Sequence, residues 1–286
     1  MRRNVLFIVV LIICIGAFSL YLLIDRQNTD RERPTITVSE EALELSVQAP
    51  QEAYLQGVTA FDDKDGDVTA SLVVSSVRLL DSDGTIEVTY AAFDKAGNVA
   101  STVRNAKYTD YVSPRFTANQ SLTFPAGPNF DLLKILQAQD VLDGDISHRI
   151  RMTYMDEQAV TSIGVHMVEL RVSNSMGEMV RLEIPVETYA ADAYNATLTL
   201  TDYLVYLPVG EELDVESYLK AYTRGNATVS LRDGLPEGCT MDVKNQVQTD
   251  VPGVYTVEYR ISQTVGTGTG ARTNTGYAKL IVVVEG

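Results

Sequence analysis

Residues 60–69 read AFDDKDGDVT and residues 138–147 read AQDVLDGDIS. Ala60, Asp62, Asp65, Gly66 and Asp67 return as Ala138, Asp140, Asp143, Gly144 and Asp145, followed by the close substitutions Val68/Ile146 and Thr69/Ser147. Self-similarity at a fixed period marks a tandem architecture. About 80 residues also separate VTYAAFDKAGNV (88–99) from VELRVSNSMGEM (168–179), which sets Asp94 opposite Asn174 and Gly97 opposite Gly177. A third copy is fainter. GTIEVTY (84–90) corresponds to GVYTVEY (253–259), and VESYLKAYTRGNATVS (215–230) stands where YLQGVTAFDDKDGDVT (54–69) stands in the first copy.

Around these markers lie short runs rich in Val, Ile, Thr and Tyr, among them ITVSEEALELSV, SLVVSSVRLL, MVRLEIPVETY, TVEYRIS and AKLIVVVEG. Several alternate with period 2, and turn residues separate them at roughly 8–12 positions, the pattern of an all-β sandwich or barrel. Helical periodicity is confined to short segments such as Asp131–Ala138 and Val215–Ala221. The expected fold is therefore all-β: three tandem Greek-key β-sandwiches over residues 34–112, 113–190 and 191–286, the last divergent. Each unit has roughly the size of a seven-stranded immunoglobulin-type sandwich. Tyr90, Tyr259 and the alternating aliphatics are expected to fill cores that have no Trp and no paired Cys.

The paired elements Asp-Gly-Asp-(Val/Ile)-(Thr/Ser) and Asp-x-x-Gly-Asn resemble those of the bacterial immunoglobulin-like domains found in tandem on Gram-positive surface proteins. Related repeats are appended to one class of pesticidal crystal toxins. The resemblance is strongest over 34–112, clear over 113–190 and weak over 191–286, where Gly225-Asn226-Ala227-Thr228 replaces both motifs. It implies spacers or adhesive modules on cell surfaces, with no catalytic residues to transfer.

Composition narrows the chemistry. Among 286 residues, 23 Lys+Arg against 38 Asp+Glu give a net charge of −15, which excludes nucleic acid as a partner because phosphate binding needs a basic footprint. With two Cys, two His and no Trp, a zinc site would consume nearly every candidate ligand, and a disulfide-stapled fold is excluded. Cys239 reads as a small buried hydrophobe, with an intermolecular disulfide as the alternative.

Residues 5–24, VLFIVVLIICIGAFSLYLLI, carry no charge and match the length needed to cross a ~30 Å hydrocarbon core. Arg2 and Arg3 precede them, which holds the N-terminus in the cytoplasm. The run is longer than a signal-peptide core, and no small-x-small cleavage site follows it. Residues 1–24 are therefore expected to be an uncleaved signal anchor, with a cleaved signal and a buried core helix as alternatives. Residues 25–33 are a juxtamembrane spacer. The expected location is the cell membrane, single-pass, with the lipid bilayer contacted by residues 5–24 and the C-terminal domains extracellular.

Two families of acids invite a functional reading: Asp62, Asp65, Asp67 and Asp94 in the first unit, and Asp140, Asp143, Asp145 with Asn174 in the second. As turn formers they would accept backbone N–H bonds within the loops. As calcium ligands they would have to supply most of 6–8 oxygens, and the spacing before Gly66, where Phe61 stands, excludes an EF-hand. Catalysis is not expected. A glycosidase needs two carboxyls roughly 5–10 Å apart in a sugar-gripping cleft, and the usual Trp platforms are missing. A Ser-His-Asp triad would depend on His148, which follows a turn, or on His166, which reads as an outward residue between Val165 and Met167. No catalytic, cofactor or metal residue is assigned. The Gly/Thr-rich stretch 264–276 reads as a long loop, either mobile or ligand-contacting.

The function expected is a non-enzymatic membrane-anchored stalk or binding module, with a monomeric ectodomain and an extracellular protein or glycan as ligand. The alternative is an accessory subunit docking onto another envelope complex.

Overall fold

The structure is a computed structural model. It describes residues 2–28, 30–127, 131–155, 162–266 and 271–286. A helix, α1 (Arg2–Asn28), opens the chain, and strands follow. The first repeat contains β1 (Thr35–Val38), β2 (Leu43–Leu45), β3 (Val58–Asp62), β4 (Gly66–Asp67), β5 (Val73–Leu79), β6 (Thr85–Phe93) and β7 (Val99–Tyr108). The second contains β8 (Arg115–Ala118), β9 (Thr123–Pro125), β10 (Leu136–Asp140), β11 (Gly144–Asp145), β12 (Arg151–Tyr154), β13 (Gly164–Ser173) and β14 (Met179–Tyr189). The third contains β15 (Thr197–Leu200), β16 (Leu204–Pro208), β17 (Leu219–Arg224), β18 (Ala227–Ser230), β19 (Cys239–Asn245), β20 (Gly253–Val265) and β21 (Arg272–Glu285).

The three repeats share one plan. Each has a three-stranded sheet, ordered β1-β3-β4, β8-β10-β11 or β15-β17-β18, and a four-stranded sheet, ordered β2-β7-β6-β5, β9-β14-β13-β12 or β16-β21-β20-β19. The first two strands of a repeat divide between its sheets. The second strand then runs parallel to the last one: Leu43 opposite Ala106, Thr123 opposite Glu187, Leu204 opposite Ile281. All other pairings are antiparallel.

Alternation makes the sandwiches. Along β6, Ile86, Val88, Tyr90 and Ala92 are buried, while the residues between them are half-exposed. Successive side chains on a strand face opposite ways, so one apolar stripe per strand suffices for a core. Tyr90 and Tyr259 are fully buried at the same place in their repeats. The Tyr90 hydroxyl donates to the Tyr54 carbonyl and that of Tyr259 to the Val215 carbonyl, both over 2.8 Å. This shared bond anchors the segment before the third strand and places the divergent repeat in register with the first.

The chain parts into two compact units, Met1–Tyr111 and Val112–Gly286. The second unit holds both later repeats. Their buried residues, from Phe116 to Val284, belong to one continuous cluster. Within it the Phe116 N–H donates to the Tyr206 hydroxyl over 2.9 Å, and Lys279 and Tyr277 of the third repeat both reach the Glu187 carboxylate of the second.

Several expectations are corrected. Among the described residues no helix is long and apolar enough to cross a membrane. The transmembrane helix expected over 5–24, the bilayer contact and the single-pass membrane localisation with extracellular domains are overturned by that finding. The all-β repeat architecture stands without them. The two segments with helical periodicity form only short 3-10 turns, Leu132–Lys134 and Val215–Tyr218. Asp131 and Asp214 cap them by accepting from the Leu133 and Glu216 N–H groups. The stretch 264–276 is mostly hairpin: β20 and β21 pair as far as Val265 opposite Arg272, and residues 267–270 lie outside the described residues.

Candidate functional site

The repeated acids converge on one end of each acid-bearing sandwich, where two loops meet. In the first, Asp62 at the end of β3 is buried, and its Oδ1 accepts from the N–H groups of Lys64 and Asp65 over 2.9 and 3.0 Å. Asp65 reaches across to the β6–β7 loop, where its Oδ2 accepts from the Lys95 N–H over 2.7 Å. Asp67 turns the other way and caps the next turn by accepting from the Thr69 N–H over 2.9 Å. Asp94 closes the β6–β7 loop on itself, taking the Asn98 N–H at 2.8 Å and the Asn98 amide at 2.6 Å. That loop needs Gly97, which sits at φ 88°, a left-handed conformation that costs glycine little.

The second copy repeats this bracing. Asp140 Oδ1 accepts from Leu142 and Asp143 over 2.9 and 2.8 Å, and Asp143 Oδ2 accepts from the Ser175 N–H over 2.6 Å. Asp145 accepts from the Ser147 N–H over 2.9 Å. Asn174 Oδ1 accepts from Glu178 over 3.0 Å, with Gly177 at φ 86°. The hydroxyls of Thr69 and Ser147 accept from the Ala60 and Ala138 N–H groups, each over 3.0 Å. In the third repeat a two-residue β-hairpin takes the place of the acidic loop: Arg224 pairs with Ala227 across Gly225 and Asn226.

Hydrogen bonds to a carboxylate favour its ionised form. The Thr69 hydroxyl and N–H hold Asp67 below the usual carboxylate range, and Ser147 does the same for Asp145. For Asp94 and Asp143 burial pushes the pKa up, but the donors overcome it and the net shift is downward. Those donors are the Asn98 side chain and N–H with the Gly97 and Ala96 N–H groups for Asp94, and Ser175 with Arg149 for Asp143.

One member of the first cluster escapes sequence reasoning. Asp30, in the polar spacer, brings a carboxylate oxygen within 4.8 Å of those of Asp62 and Asp94. Lys64 Nζ lies 3.5 Å from it, and its own carbonyl accepts from the Asn98 amide over 3.3 Å. Three carboxylates could supply three to six of the 6–8 oxygens of a calcium shell. The N–H groups and the Lys64 charge supply the partners these acids use.

The histidines divide. His148 is exposed in its turn. His166 is buried, contrary to the outward placement expected, with Nε2 2.9 Å from the Ser162 carbonyl and 3.2 Å from the Thr188 hydroxyl. It shares the inward parity of Val168, Leu170 and Val172, whereas Val165 and Met167 face out. Cys239 is half-buried against the core of the second unit, and burial pushes its thiol up.

A second group of functional interest also goes unseen in the sequence. Tyr189, Tyr194, Tyr203 and Tyr277 gather around one cavity in the second unit. The only sequence signal for it is tyrosine density from Tyr189 to Tyr206.

No family model matches the chain. An uncharacterized 81.3 kDa protein of Acholeplasma phage L2 is 25% identical over 122 residues, which are 43% of this chain and 15% of the phage protein. The chain thus spans a small part of that relative's length. Among solved structures, the CBM51-2 and INT domains of Clostridium perfringens ZmpB, in complex with GlcNAc, are 14% identical with a TM-score of 0.22, over 88% of this chain and 41% of that one. Mouse cadherin-23 EC22-24 is 9% identical with a TM-score of 0.22, over 89% and 99%. Likenesses at that level say nothing about what this chain binds. The immunoglobulin-like β-sandwich repeat is carried by the strand order described above.

Proposed function

We propose that the chain is a non-catalytic binding or adhesion module made of tandem β-sandwiches. The observation that supports it is the use of the repeated acids. In both acid-bearing repeats each one accepts loop N–H groups, with the same partners position by position. Carboxylates committed in this way stiffen loops. Acid–base chemistry needs a carboxyl able to exchange a proton with a substrate. A rigid sandwich with braced end loops is a scaffold on which surfaces and clefts can be presented.

The test exposes the full chain to arrays of glycans and proteins, then recovers the retained ligand and measures its mass. Retention of an unaltered ligand is the expected result. A ligand returned cleaved or modified, with the chain acting in turnover, would overturn the reading.

A further inference from the structure

We infer that the tyrosine-lined cleft where the second and third repeats meet is a binding site for a neutral saccharide. The inference rests on the module reading above and names its ligand class and its place.

The cleft lies within the second compact unit and has a volume of about 450 Å³, inside the ~300–1,000 Å³ typical of small-ligand sites. One wall is aromatic. Tyr194 and Tyr277 stack with centroids 5.2 Å apart and planes 8° from parallel, and Tyr189 meets Tyr194 edge-on at 4.8 Å and 78°. All three rings are half-buried, so each keeps surface for a ligand. The wall is held in place. The Tyr277 hydroxyl donates to Glu187 over 3.1 Å, and Tyr203 at the base accepts from the Leu200 N–H over 3.2 Å. Preorganised rings lose little freedom on binding.

Part of the remaining lining is polar and uncommitted. Asn119 and Gln120 project from the β8–β9 loop, Thr199 and Thr201 from the end of β15, and Lys220 from β17. None of these side chains makes a hydrogen bond among the described residues. Two amides offer donors and acceptors together, as do two hydroxyls, and one ammonium offers donors alone.

A pyranose presents the complementary surface: a patch of C–H groups that lies on an aromatic face, ringed by hydroxyls that both donate and accept. Charge selects a neutral one. The lining carries one cation, Lys220, in a chain of net charge −15, so a ligand bearing several negative charges meets a repelling field with one ammonium to offset it. A proline-rich peptide also favours aromatic grooves, but it would leave most of these hydroxyl and amide groups unpaired.

The test titrates the full chain with chitotriose, maltotriose and laminaritriose, and with a proline-rich decapeptide, reading saturation transfer to the ligand by NMR. Saturation of at least one trisaccharide is expected. Tyr194→Ala should weaken that binding tenfold or more. Because Tyr194 also packs, the exposed double substitution Asn119→Ala/Gln120→Ala provides a variant that leaves the core untouched and should weaken binding at least fivefold. No transfer to any trisaccharide, transfer to the peptide alone, or affinity unchanged in both variants would overturn the site while leaving the module reading intact. Cleavage of a trisaccharide would overturn the module reading instead.

Discussion

The Nδ2 of Asn174 donates to the Oδ2 of Asp140 over 3.2 Å, at the place where the first repeat sets Asp94 beside Asp62. One atom's difference, NH₂ for O, turns a pair of like charges into a hydrogen bond. The first repeat compensates with Asn98 and Lys64. The second has Glu178 and Leu142 at those positions and so needs its amide.

Replacing Asn174→Asp should therefore destabilise the full chain by about 2 kcal/mol, through the lost bond and the uncompensated carboxylate. The loss should shrink at acid pH, where the introduced carboxyl takes a proton and the like-charge repulsion ends. Thermal melts at pH 7 and pH 3.5 check this. Equal destabilisation at both would refute the electrostatic account.

The paired core tyrosines give a second test. Tyr90→Phe and Tyr259→Phe each keep the ring and remove the bond to the Tyr54 or Val215 carbonyl. Each should cost about 1 kcal/mol, because a part-buried carbonyl loses its donor. Urea titration at an unchanged m-value is the measurement.

The acid limb of stability should carry the signature of Asp83. The Thr85 hydroxyl, Lys107 and the Thr85 N–H lower its pKa from 3.8 to about 2. Since the folded value is depressed, the stabilisation is complete above about pH 4 and is lost as pH falls towards 2. Asp83→Asn should lower the melting temperature at pH 6, and its curve should converge with that of the parent chain near pH 2. A difference persisting at pH 2 would mean that the effect is not one of charge.

Loop bracing by Asp62 predicts indifference to calcium. Asp62→Ala should cost about 1–3 kcal/mol, because two part-buried loop N–H groups lose a charged acceptor. Millimolar calcium added to the chelator-treated full chain should leave its melting temperature unchanged. A rise following RT ln(1 + [L]/Kd), lost in Asp62→Ala, would assign the cluster to an ion instead.

Much of this protein is local, and what is local can be read from the chain. Asp62, Asp67, Asp94 and their counterparts sit two to four residues from N–H groups they accept, so much of each loop is specified locally, whereas Asp65 and Asp143 accept across to the facing loop. Period-2 alternation names the inward face of β6, and it would have named that of β13: stepping back by twos from Val172, Leu170 and Val168 lands on His166. Apolar Val165 and Met167 hide that phase, because outward valines look like core until the partner sheet is in place. Tyr90 and Tyr259 mark the core of their repeats for the same local reason.

The rest depends on distance along the chain. Asp30 joins Asp62 and Asp94 only because β1 and β3 lie side by side and bring the spacer to that end of the sandwich. The tyrosine cleft assembles from residues about 160 positions apart, Asn119 to Tyr277, and no period or spacing records such a meeting. The continuous core of the second and third repeats is likewise decided by surface complementarity between folded sheets. An apolar run at the N-terminus shows the same limit, since composition alone suggested a bilayer span that the described helix does not supply. Turns and strand faces are set by interactions a few residues long, which the sequence carries. Clefts and clusters arise from packing between elements, whose partners only the tertiary structure brings together.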